Sequence, residues 1–159
     1  MNFGQTRYIL PLKQRKDLIT TNEHDVLFKN IEILKSVTEK LVENYTDDDE
    51  WERVIDGYKY QIKNIQEIYK KYFNMLKHAN CILVDKTHHP EFIKFIGEPS
   101  ISRNQLHLTS FINKPLQHYR DIMKIFQLMI AHCTIDSKEH SDVDAIIKEL
   151  QVGFLIKFS

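Results

Sequence analysis

The stretch QLHLTSFINKPLQHYRDIMKIFQLMIAHCT, residues Gln105–Thr134, decides the fold of this 159-residue chain. Its apolar residues fall at Leu108, Phe111/Ile112, Leu116, Tyr119, Ile122/Met123, Phe126, Met129/Ile130 and Cys133. Steps of three and four sustained over that length describe one face of an α-helix and exclude a strand, which would alternate. Pro115 interrupts the pattern, removing a backbone donor and crowding the turn before it. The expectation is a kink at Lys114–Pro115, or two helices abutting at Asn113–Lys114. Beside the proline sit the polar residues Asn113, Lys114, Gln117 and His118, a grouping that a long apolar helix does not need for packing.

Working outward, the same periodicity recurs. Thr20 and Glu23 have capping-box spacing ahead of Leu27/Phe28, Ile31, Leu34, Val37, Leu41 and Tyr45. The acidic run Asp47–Glu50 ends that helix and opens the next, since carboxylates favour a helix N-terminus. Asp49 and Glu52 form a second box before a stripe running from Trp51 through Tyr69 and Tyr72/Phe73 to Ala79. The long helices are thus expected near 21–45, 51–83 and 105–133, the last opened by a Ser102/Gln105 box. Pro90 suits the first position of a short helix, Glu91 to Ile96, stopped by Gly97 and Pro99. Ser141–Asp144 starts a final helix that Gly153 ends, and Met1–Leu12 reads as a helix tail or an extended lead-in. The whole predicts an all-α, elongated helical bundle in one domain, 1–159.

Composition excludes several function classes. Twenty-two basic and 22 acidic side chains cancel, so nothing favours nucleic acid or an anionic membrane. No apolar run approaches the roughly 20 residues of a membrane span, and no signal-peptide core opens the chain, which points to the cytoplasm. Cys81 and Cys133 lie on apolar stripes and read as buried free thiols. Eight histidines are present without metal-ligand spacing, and adjacent His88 and His89 would diverge on a helix, so neither metal nor cofactor is expected. Asp47–Glu50 lacks the glycine of a calcium loop. With no phosphate loop and no nucleophile elbow, covalent chemistry is not in view. Tyr58, Tyr60, Tyr69 and Tyr72 read as core packing.

The segment Leu108-Thr109-Ser110-Phe111-Ile112-Asn113-Lys114-Pro115-Leu116-Gln117 resembles the third conserved region of Dbl-homology (DH) domains, the exchange modules of the RhoGEF family. Further pieces follow in family order. Tyr8–Leu12 resembles the end of the first helix, Asp25–Leu34 the second conserved region, Tyr69–Asn74 a tyrosine-rich motif, and Pro90–Ile96 a short phenylalanine motif. The resemblance implies a DH-like bundle that binds a Rho-family GTPase, displaces its switch segments and lets GDP leave, without bond making. It implies GTPase-binding roles for Lys114, Gln117 and His118, and for Gln151 where the family often carries asparagine.

Two departures accompany it. His118 stands where the motif has an arginine, and a ring cannot reproduce the guanidinium fork. The chain opens at what resembles the end of the family's first helix, so the glutamate that contacts the first switch has no counterpart, and apolar faces on neighbouring helices are expected to be uncovered. No pleckstrin-homology domain is expected after the last helix, leaving membrane recruitment to other parts or partners. The alternative implied is a degenerate DH-like domain that binds partners without exchange.

Overall fold

The computed structural model describes residues 2–42, 51–103 and 105–155. A helical N-terminal segment combines an α-turn, Asn2–Gly4, a π-turn, Gln5–Ile9, and a second α-turn, Leu10–Gln14. Five helices follow: α1 (Thr21–Val42), α2 (Trp51–Lys86), α3 (Pro90–Gly97), α4 (Leu108–His132) and α5 (Lys138–Leu155). Among the described residues there is no strand. The architecture is the all-α bundle that the periodicity predicts. Helix α2 has 36 residues, about 54 Å at 1.5 Å per residue, and α1, α4 and α5 all pack against it.

Helix α1 starts where its capping box predicts. The Thr20 amide donates to Glu23 Oε2 at 2.8 Å and the Glu23 amide to Thr20 Oγ1 at 3.2 Å. The other carboxylate oxygen of Glu23 takes the Lys86 ammonium at 3.0 Å, which joins the start of α1 to the end of α2 and pairs a lysine only 9% exposed. Tyr45, the acidic run and, with it, Asp49 of the Asp49/Glu52 pair lie outside the described residues.

Several expectations are corrected. Of the two readings of the lead-in the helical one holds, and a π register lets the Leu10 amide bond the Gln5 carbonyl just before Pro11, which has no amide to give. The Ser102 amide does donate to Gln105 Oε1 at 3.2 Å, but the pair closes a turn, and α4 begins at Leu108 with no side-chain cap. Helix α5 opens a turn before Ser141, where Ser137 Oγ accepts the His140 amide at 3.1 Å. It also runs through Gly153, whose role is close approach: a Cβ there would lie 2.5 Å from Tyr119 Oη. Cys81 is exposed and Cys133 half-buried, not core thiols, and Tyr60 is 87% exposed while Tyr69 and Tyr72 are buried.

At Pro115 one of the two expectations is corrected, that of two abutting helices. Helix α4 runs unbroken through it. The missing amide leaves the Phe111 carbonyl without its helical donor, and the neighbouring turn gains a support from outside. Tyr72 of α2 donates its hydroxyl to the Ile112 carbonyl at 2.8 Å. Burial pushes that phenol far up, and the Leu116 amide approaching the same oxygen is the smaller, opposing influence. Asn113 Nδ2 donates back to the Thr109 carbonyl at 2.9 Å, so one of the polar residues beside the proline serves the helix itself.

Candidate functional site

Around Pro115, α4 faces α1, α2 and the N-terminal segment across a cavity of about 460 Å³. Its apolar lining comes from Phe3, Ile31, Leu34, Leu106, Phe111 and Pro115. The expected uncovered face is therefore much reduced: Ile31 and Leu34 are each 3% exposed. The N-terminal segment shares the cavity lining with them through Phe3 and Gly4, and it packs so tightly on α4 that a Cβ on Gly4 would enter the Phe111 ring. That segment is fastened by Arg7 Nη2, which donates to the carbonyls of Ile96 at 2.9 Å and Pro99 at 2.7 Å, and by the Tyr8 hydroxyl on the Leu106 carbonyl at 2.8 Å. Lys35 of α1 adds a bond to Gln5 Oε1 at 2.6 Å.

Lys114 and His118, one helical turn apart, both line this cavity. Lys114 is exposed and makes no hydrogen bond or ion pair among the described residues. His118 is half-buried, and its Nδ1 lies 2.7 Å from the Tyr69 hydroxyl. Burial drives the Tyr69 phenol far up, so it keeps its proton and donates it. We assign the neutral imidazole with its own proton on Nε2. Burial also holds His118 below the usual imidazole range; Asp121 pulls it up and Lys114 pushes it down, both more weakly.

The other two candidates lie elsewhere. Gln117 points along the exposed side of α4 and donates to Asp121 Oδ1 at 2.8 Å. Gln151 is exposed on α5 and does not line the cavity. The end of α5 is nevertheless held to α4, since the Tyr119 hydroxyl donates to the Leu150 carbonyl at 2.6 Å and Gln66 of α2 to the Glu149 carbonyl at 2.9 Å. Beneath the site, Tyr69, Phe73 and Tyr119 form an aromatic cluster with centroids 4.6–5.8 Å apart. Among the described residues no three His, Cys, Asp or Glu side chains are grouped to hold a metal ion.

Sequence reasoning missed Tyr69 as the partner of His118 and Tyr72 as the support of the proline turn. Both read as core aromatics, and only their hydroxyls, which the motif includes without explaining, set them apart from phenylalanine. Gly4 gave no signal, because its contact with Phe111 depends on a packing that the local sequence does not encode.

The RhoGEF domain family model matches residues 1–152. The chain belongs to the RhoGEF domain family. No curated protein matches it. The match carries the family's class of activity, guanine-nucleotide exchange on Rho-family GTPases, which regulates a partner's bound nucleotide and makes no covalent bond. It runs through the N-terminal segment, α4 and most of α5, so the helices carrying Lys114 and Gln151 fall inside the RhoGEF domain. Among its described residues no helix is long and apolar enough to cross a membrane.

Proposed function

We propose that this RhoGEF domain binds a Rho-family GTPase on the α4 surface around Lys114 and the adjoining end of α5, and favours its nucleotide-free state. Exchange requires only that the domain bind the empty GTPase more tightly than the loaded one; the difference in affinity drives nucleotide out. The observation that carries the reading is Lys114: the motif lysine is exposed, without a partner among the described residues, on a turn braced from below by Tyr72. A braced turn presents the ammonium at low entropic cost, and an ammonium meeting a carboxylate or carbonyl of a switch segment is worth about 1.5–3 kcal/mol when water is excluded. Gln117 and Gln151 would lie at the edges of that contact, Gln117 after giving up its bond to Asp121. His118, already bonded to Tyr69, would act by position.

The experiment is release of a fluorescent GDP analogue from Rho-, Rac- and Cdc-type GTPases, with affinity for each nucleotide-free GTPase measured alongside. Lys114→Ala is expected to weaken that affinity about tenfold or more while leaving the melting point in place. If wild type accelerates release and the variant does so equally, Lys114 is not a contact. If wild type binds the empty GTPase without accelerating release, the domain is a binding module; the replacement of the motif arginine by His118 favours that second reading.

A further inference from the structure

The 460 Å³ cavity beside Lys114 has the size and lining of a small-molecule site. For scale, one benzene ring fills an apolar cavity of about 150 Å³. Most of its polar groups already have partners: Thr38 Oγ1 donates to the Leu34 carbonyl at 2.8 Å, Tyr69 is bonded to His118, and Gln105 Oε1 accepts the Ser102 amide. Three nitrogens are unspent among the described residues, the Lys114 ammonium, His118 Nε2 and Gln105 Nε2. All three are donors, Lys114 and His118 sit one turn apart, and among the described residues no acidic residue lines the cavity. One positive charge and two neutral donors beside apolar walls complement a single negative charge on an apolar body.

We propose that this cavity is a binding site for a small amphipathic monocarboxylate, its apolar body lying among Leu34, Leu106 and Phe111 and its head group at Lys114 and His118. A carboxylate matches the single charge; a phosphate dianion would leave one charge unanswered. The body gains from leaving water, and the head gains a charge-assisted bond in a half-buried place, where it is stronger than in bulk water. Binding stands on the cavity alone. Its consequence, that an occupied cavity engages the ammonium needed for a GTPase, rests on the proposed exchange function and is read separately.

The test is calorimetry on the full chain with three probes that share one tail, below their micelle concentrations: dodecanoate, dodecanol and dodecyltrimethylammonium. Dodecanoate is expected to bind at one site, the cationic probe not at all, and Lys114→Met to weaken dodecanoate about tenfold or more while leaving dodecanol unchanged. Leu106→Trp, a change at a partly exposed wall residue, is expected to block all binding by filling the cavity, with helicity by circular dichroism unchanged. If that variant unfolds, Thr38→Trp fills the same space from α1. Equal binding of the anionic and cationic probes overturns the proposal, as does dodecanoate binding that survives a folded, filled variant. A concentration-dependent dimer that dodecanoate does not affect also overturns it, by giving the cavity to a second copy. Dodecanoate binding that leaves GDP release untouched keeps the site and removes only its link to exchange.

Discussion

Replacing Tyr72 by phenylalanine tests how a proline is tolerated inside α4. The substitution removes one oxygen and hardly changes shape. Tyr72 is 3% exposed, and its hydroxyl donates to the Ile112 carbonyl at 2.8 Å while the Leu116 amide approaches the same oxygen. Without the hydroxyl, water cannot replace it at that depth. A buried backbone group left unsatisfied costs about 1–3 kcal/mol. The lower end applies if Leu116 and Ile112 close on each other, which would draw the Lys114 turn inward. The upper end applies if Pro115 prevents that closure. For a chain of this size each kcal/mol lowers Tm by roughly 2–4 °C, so the expected fall lies at about 2–12 °C. Thermal unfolding by circular dichroism reads it, with Tyr60→Phe as the control, since that hydroxyl stands in solvent. A Tyr72→Phe variant that melts with wild type would refute the bracing argument, and with it the account of why the helix does not break.

Three further outcomes are expected. Gly153→Ala should destabilise by about 1–3 kcal/mol, because the new methyl meets Tyr119 Oη at 2.5 Å and dislodges its bond to Leu150; pairing it with Tyr119→Phe should recover part of the loss in a denaturant titration. Glu23→Ala removes a capping partner and strips the nearly buried Lys86 of its counter-charge, so a loss of about 1–3 kcal/mol is expected, with Glu23→Gln, which keeps the cap, between the two. For His118, burial holds the folded pKa below the unfolded value, which is about 6.5. The unfolded chain then binds the proton first, so this stability is intact above about pH 6.5 and is lost as pH falls from there towards the folded pKa. The drop in Tm between about pH 7.5 and about pH 5.5 should shrink in His118→Asn; an unchanged drop would remove His118 from the account.

How legible the molecule was depends on whether a signal is local. The helical stripes and the Thr20/Glu23 box were readable because the contacts they predict lie within one or two turns of each other. The Ser102 and Ser141 boxes misled for the same reason: serine and an acceptor at the right spacing can close a turn or sit inside a helix, and packing decides which. Cys81 was misplaced because neighbouring apolar residues suggested a buried line that the structure turns to solvent. Pro115 takes the helical donor from the Phe111 carbonyl, and the bond that supports the adjacent turn comes from Tyr72, 43 positions earlier, which no window on α4 includes. The candidate site was legible in part. The resemblance named Lys114 and His118 as GTPase contacts; both line the cavity, whereas Gln117 and Gln151 do not, and the walls supplied by Phe3 and Leu106 depend wholly on tertiary placement.

Arg7 and Tyr8 reach partners 89 to 98 positions further along. A ribosome working at about 5–20 residues per second needs several seconds to supply those carbonyls after Arg7 has been made. During that interval the segment has only α1 to rest on, through His24 at the Ile9 carbonyl and Lys35 at Gln5, and Tyr8, all but inaccessible in the finished fold, lacks Phe111 and the Leu106 carbonyl. Contacts this distant in the chain form late and slowly. The segment is therefore the stretch a holding chaperone would grip on the nascent chain, and a translation pause before Leu106 would prolong its exposure to aggregation.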